Sequence, residues 1–424
     1  MRICILSTHD EPCGIATYSA QLQAELQALG VETTTHPIDR LGLSKKARVE
    51  FAQHFAGFVE GIDRFDAFIL QHEFGLYAGS YGIRQSNKVF GGLLKALAQK
   101  KKPTLIVFHS APPVTSIDGV VHQERARLGV GGRRSIRAAL GRAALGSLRA
   151  VTVRPGWRSI LRTINNDASM SAVVLSEEAR RLMIDSGLRP EKLAVVRHGV
   201  PALKDPGPGE GGKPREGPRT IRLTIFGFVV AYKGYEAALR AMLHVPGYIE
   251  LVIAGGPHPA NPQDRTLENI LTFVATGDYP DGVLAPLSAS EMETVRDRLV
   301  GRVEITGYLP PAEVRKVLDR TDIVLAPYLE SGPSGSGALS WGLAARRPIL
   351  ATTTAGFSEM NEAEPCMLLV NTNAPHELAR AVTAICNDEK LRADLVAGAA
   401  RFAETHAWPI KARQILDRLE QLGT

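Results

Sequence analysis

Short apolar runs alternate with segments whose apolar residues recur at helical spacing, and the alternation repeats along the whole chain. Runs this short, bounded by polar turns, suit strands buried on both faces, as in parallel sheets covered by helices. The pattern predicts strands at Ile3–Leu6, Ala67–Gln71, Thr104–Phe108, Ala150–Val153, Ala172–Leu175 and Ala194–Val196, with Gln21–Leu29 as the first amphipathic crossover helix. It restarts with apolar segments at Ile221–Phe226, Tyr235–Met242, Ile249–Ala254, Val303–Thr306, Ala312–Leu318, Ile323–Ala326 and Ile349–Ala351. The expected fold class is α/β, two Rossmann-like parallel-sheet domains that enclose a cleft.

Between the two series, residues 203–219 are too rich in proline and glycine for regular structure. They mark the boundary between a first domain over 1–202 and a second from 220 onward. A length of 424 residues agrees, since one core rarely serves so long a chain.

With 44% apolar and 22% charged residues the composition is that of a soluble globular protein. No apolar run approaches the ~18 residues of a membrane span. The start, Met1-Arg-Ile-Cys-Ile-Leu-Ser7, lacks the features of an export leader, and Cys4, Cys13, Cys366 and Cys386 lack metal-ligand spacing. A cytoplasmic location with reduced thiols is expected.

Charge is unevenly spread. From Arg125 to Arg162 there are ten arginines and no Asp or Glu, and Ile136, Leu140 and Leu145 or Leu148 fall at roughly helical spacing. A basic amphipathic helix on an anionic membrane surface has this look, as does a solvated basic face. Nucleic acid is disfavoured, because Trp157 is the one aromatic residue of the stretch and gives no stacking platform.

The loops after strands carry the candidate chemistry. Residues Tyr328 to Thr352 run from a strand through a glycine/serine loop with Gly332, Ser334, Gly335, Ser336 and Gly337 into a helix. Such a loop brings N–H groups to the positive end of a helix, where a phosphate binds. It matches neither a P-loop nor a dinucleotide fingerprint, and an ordinary small-residue connection is the bland alternative. In Phe226-Gly-Phe-Val-Val-Ala-Tyr-Lys233-Gly234, Lys233 stands just before a helix, a poor place for a cation unless an anion is near.

In the first domain Gly14 allows close backbone approach, His72 and Glu73 follow the second predicted strand and are expected to project into the cleft, and His109 follows the third. A lone strand-end histidine is usually structural; three polar loops on one sheet edge favour function. No HExxH or CxxC spacing supports a metal.

This set of loops resembles the retaining nucleotide-sugar glycosyltransferases of the GT-B fold, family four, with Gln71-His-Glu-Phe-Gly75 and Ser336-Gly-Ala-Leu-Ser340 as the most telling motifs. The resemblance implies a nucleotide-diphospho-sugar donor on the second domain and a sugar, lipid-linked or small-molecule acceptor on the first, with no cofactor and no metal. Lys233, Gly14, Ser336 and Gly337 match positions at the donor diphosphate, and His109 matches a histidine near the transferred sugar. His72 or Glu73 would position the acceptor, and Glu330 or Glu359 would contact the donor. The closing apolar stripe would carry residues 403–424 back onto the first domain, leaving 220–402 as the second; a plain terminal helix within the second domain is the alternative.

Two departures stand out. No basic residue lies between Arg222 and Lys233, and Pro333 and Trp341 occupy the places of the family's usual glutamate pair. They keep open a degenerate nucleotide-sugar-binding or scaffold protein. A nucleotide-sugar epimerase is a further alternative, for which only Glu73, Glu330 and Glu359 offer carboxylates.

Overall fold

A computed structural model describes the chain apart from residues 10, 12, 44–47, 74, 79–81, 111, 113–135, 204–219, 260, 262, 331–335 and 424, and apart from the side chains of 40, 41, 48–52, 136–150, 311 and 312. The predicted linker therefore lies almost wholly outside the described residues. So do Gly332, Ser334 and Gly335 of the late loop, and Arg133 and Arg134 of the basic stretch.

The described chain forms two compact units. One comprises 1–199 with 408–424, the other 200–331 with 336–407.

The first unit is a six-stranded parallel sheet of β1 (Arg2–Ser7), β2 (Glu32–Pro37), β3 (Ala67–His72), β4 (Thr104–Phe108), β5 (Met170–Val174) and β6 (Leu193–Val195), in the order β2-β1-β3-β4-β5-β6. Strand alternation sends Cys4 and Leu6 to one face, with Phe90, Trp157 and Ile160, and Ile3 and Ile5 to the other, with Tyr18 and Leu22 of helix Gly14–Ala28. The terminal helix Trp408–Glu420 covers that second face with Trp408, Ala412, Ile415, Leu416 and Leu419. Residues 403–405 instead end the preceding helix, Glu389–Thr405, and Ala403 packs on the core of the second unit.

The expected strand at Ala150–Val153 is wrong: these residues lie inside the helix Ile136–Asn166. Val153, Trp157, Ile160, Leu161 and Ile164 are buried, a helical stripe that overrides the strand propensity of Val151-Thr-Val153. Two strands had no clear signal. β2 is a polar edge strand, and the last strand of the second unit has only three residues.

The second unit holds β7 (Ile221–Phe226), β8 (Ile249–Ala254), β9 (Val303–Ile305), β10 (Ile323–Ala326), β11 (Ile349–Thr352) and β12 (Leu368–Val370), all parallel, in the order β12-β11-β10-β7-β8-β9. Read from β9, this is the doubly wound order 3-2-1-4-5-6. Its reversal point, where ligands of such sheets bind, lies between β7 and β10.

Candidate functional site

The loops after β7 and β10 flank that reversal point, so their residues meet there although a hundred positions separate them. After β7 the Gly227 amide donates to the Ala254 carbonyl at 3.0 Å, and Val229 N–H to the Gly256 carbonyl at 2.8 Å. A single helical turn, Ala231–Lys233, then delivers the chain to Gly234 and the helix Tyr235–Met242.

Two glycines make this turn possible. Gly234 has φ +71°, and a Cβ there would sit 1.8 Å from the Pro327 carbonyl oxygen. Gly227 has φ +98°, and its Cβ would lie 2.6 Å from Lys233 Nζ and 3.0 Å from Ala338 Cβ. Both positions are left-handed and leave no room for a side chain.

Lys233 is 3% exposed. Its Nζ donates to the Phe226 carbonyl at 2.6 Å and lies 5.5 Å from the centre of the Tyr328 ring. Burial away from water pushes its pKa down to about 7, from an ordinary 10.5.

From β10 the chain passes Tyr328, whose hydroxyl is 3.1 Å from Ser336 Oγ. Ser336 caps the helix Gly337–Ala344, its Oγ accepting from Leu339 N–H at 3.2 Å. Lys233, Gly227, Tyr328 and the first turn of this helix thus form one cluster: a desolvated cation beside the positive end of a helix. Glu330 is exposed at the edge of the loop, and Glu359 is half-buried in the helix Ala355–Ala363 after β11. Gly335 lies outside the described residues.

In the first unit, the carboxyl ends of β1, β3 and β4 are adjacent. His109 follows β4, and its Nε2 is 2.6 Å from Gln71 Oε1. A carbonyl oxygen only accepts, so Nε2 carries the proton. The His109 and Tyr18 rings meet edge to face at 4.8 Å, and Tyr18 also touches His198 at 5.3 Å and Trp408 at 4.8 Å. Burial, then the neighbouring His198 and His72, push the His109 pKa down to about 3, so the ring is neutral at physiological pH.

His72 does not project from the strand end. It is 1% exposed and lies among Phe90, Phe108 and Trp157, with ring centres 4.5, 4.9 and 6.1 Å away. Burial holds its pKa at about 3. Consecutive strand residues face opposite sides, so Gln71 and His72 cannot share an environment, and Gln71 is the one directed at His109. Sequence reasoning passed over Gln71, although alternation from Ile69 signals its side of the sheet. Tyr18, His198 and Trp408 were also missed, being drawn together only by the fold. Glu73 is half-buried just past β3. Gly14 opens its helix exposed, and an added Cβ would meet nothing within 4 Å, so the packing of the unit does not itself demand glycine.

Residues 220–388 match the model of the family described as glycosyl transferases group 1. The match covers most of the second unit and none of the first. No curated protein matches the chain.

Among solved structures, HepE of Anabaena in complex with UDP and glucose superposes with a TM-score of 0.64 at 13% identity, over 99% of each chain. Other HepE structures hold UDP or UDP-glucose. Sucrose-phosphate synthase of Thermosynechococcus elongatus superposes with a TM-score of 0.65 at 16% identity, over 100% of this chain and 99% of that one. A glycosyltransferase of Rickettsia africae gives 0.63 at 12% identity, over 99% and 98%. Likeness at such low identity is one of fold, and that fold is GT-B.

Proposed function

We propose that this protein is a retaining glycosyltransferase that moves a sugar from a nucleotide-diphospho-sugar to an acceptor hydroxyl. The observation that carries the reading is the convergence of Lys233 with the N-terminal turn of Gly337–Ala344 at the reversal point of the second sheet. A buried lysine whose ammonium leans on a single carbonyl is poised to trade that contact for a phosphate oxygen. The group 1 domain over the same residues and the UDP complexes of HepE support a nucleotide diphosphate as the anion.

The chemistry this asks of the protein is modest. The acceptor oxygen attacks the anomeric carbon on the face from which the diphosphate leaves; the C–O bond to phosphate breaks and the acceptor proton passes to the departing phosphate oxygen. Lys233 and the helix N–H groups stabilise the charge that builds on the diphosphate, the service a divalent metal would otherwise perform. His109, neutral and held by Gln71, orients a sugar hydroxyl rather than transferring a proton. Glu330, Glu359 and the Gly335–Gly337 backbone serve the donor, while Gly14 and Glu73 serve the phosphates or the acceptor in this reading. His72, enclosed among aromatic rings, takes no part in this reading, and Gln71 acts by holding His109.

The basic face supports attachment to an anionic membrane. In the described half of Ile136–Asn166, Arg154, Arg158 and Arg162 recur every fourth residue, all exposed, opposite the buried Val153, Trp157 and Ile160. No described helix is long and apolar enough to cross a membrane.

The test is a thermal-shift panel of UDP, GDP, ADP, TDP and CMP, each with and without magnesium. Stabilisation by one nucleoside diphosphate in the absence of metal is expected and names the donor class. Silence across the panel would transfer the reading to a degenerate scaffold protein that no longer binds nucleotide.

A further inference from the structure

The second unit brings together three metal-ligating side chains far from Lys233. His244 follows the helix Tyr235–Met242, Glu291 is the third residue of the helix Ala289–Leu299, and His376 is the second residue of the helix Pro375–Asn387. One ligand atom from each falls within 4.8 Å of the other two. We propose that these residues hold a divalent transition-metal ion of the Zn²⁺ class.

The His244–Glu291 separation fits metal ligation better than direct bonding. His244 Nε2 and Glu291 Oε1 are 3.6 Å apart, beyond a good hydrogen bond. Two ligands bound at zinc distances with tetrahedral angles are about 3.3–3.4 Å apart, close to the separation of this pair. The two imidazole rings lie 4.3 Å apart between centres at a 39° tilt, both at the surface. A metal ion takes both rings as neutral donors.

Glu291 is already oriented for the task. Its Oε2 accepts from Ser288 N–H at 2.8 Å and Ser288 Oγ–H at 2.7 Å in a capping box, which pins the carboxylate and leaves Oε1 towards His244. Ligating carboxylates are commonly held in this way by outer hydrogen bonds. Two nitrogens and one oxygen favour zinc, nickel or copper over magnesium and calcium. Exposure of both histidines leaves coordination positions for water and lets chelators strip the ion.

Such an ion would clip together three helices that share one core, represented by Leu239 and Met242, Val295 and Leu299, and Leu378 and Val382. It lies beyond the far end of the helix that Lys233 precedes, roughly 12 Å of helix away. Its role is structural, and the binding of diphosphate does not depend on it.

The experiment is calorimetric titration of Zn²⁺ into the full chain, free of any affinity tag and stripped with chelator, paired with thermal unfolding. One ion per chain should bind and raise the unfolding midpoint, while Mg²⁺ does neither. His376→Ala and Glu291→Gln should each weaken binding at least tenfold. Glutamine retains the capping-box contact, so Glu291→Gln tests ligation in an intact helix. Absence of saturable binding, equal binding by the variants, or an equal response to Mg²⁺ would overturn the site.

Discussion

Lys233 Nζ donates to the carbonyl oxygen of Phe226 at 2.6 Å, at a site only 3% exposed. One carbonyl dipole does not replace the hydration of an ammonium, which is why the pKa falls to about 7. The lysine is held at a cost that an anionic ligand relieves.

Lys233→Met or Lys233→Ala should therefore weaken UDP, or whichever diphosphate the panel selects, by at least tenfold. The fold should survive, because the variant removes a desolvated charge. Isothermal titration decides it: unchanged affinity removes Lys233 from the donor site.

The same residue sets a pH dependence. In the folded protein Lys233 loses its proton near pH 7, in the unfolded chain near 10.5, so unfolding takes up a proton between these values and stability rises with pH across that window. A bound diphosphate favours the charged form, so its binding takes up a proton above pH 7. Affinity should fall about fivefold from pH 7 to pH 8, as expected for one proton linked at pKa about 7. Titrations in buffers of different ionisation enthalpy should show that proton in the wild type and not in Lys233→Met.

Gly234→Ala should destabilise the second unit by roughly 2–4 kcal/mol, because it adds left-handed strain and a collision. The collision is severe, with a Cβ 1.8 Å from the Pro327 carbonyl. Urea unfolding measures it, and a loss below about 0.5 kcal/mol would mean that the turn relaxes freely.

His72 and His109 carry an acid sensitivity of the first unit. Both pKa values are depressed from 6.5 to about 3, so the stability they contribute is present above pH 6.5 and is lost as pH falls towards 3. For the enclosed His72 the loss is roughly 1 kcal/mol per pH unit. Urea midpoints at pH 7 and pH 4.5 should differ less in His72→Leu than in the wild type. His109→Ala should lower kcat with little change in UDP affinity, and the wild-type rate should show no histidine limb between pH 5 and 8.

Replacing Arg154, Arg158 and Arg162 with Glu should reduce co-sedimentation with anionic liposomes, each arginine near such a surface being worth about 1 kcal/mol. Equal sedimentation of both forms would dismiss the membrane face.

Ten of the twelve described strands were legible to within a few residues, because buried parallel strands are short apolar runs set off by polar turns. The polar edge strand Glu32–Pro37 and the three-residue Leu368–Val370 lack that signal, and Val151-Thr-Val153 imitates it inside a helix. At the candidate site, Lys233 and the Ser336 cap could be picked out because each stands at a strand-to-helix turn, where backbone N–H groups and conformation restrict the residue type. Gln71 was hidden behind the more conspicuous His72 beside it.

Local order, then, belongs largely to the sequence: most of the strands and the turns between them follow from nearest neighbours and periodicity. Which side chains meet does not. Lys233 joins Ala338 because β7 and β10 are neighbours in the sheet. Gln71 finds His109 because β3 pairs with β4, and His244, Glu291 and His376 converge because three helices pack on one core. Strand order and helix packing depend on contacts across tens to hundreds of residues, and no local pattern encodes them.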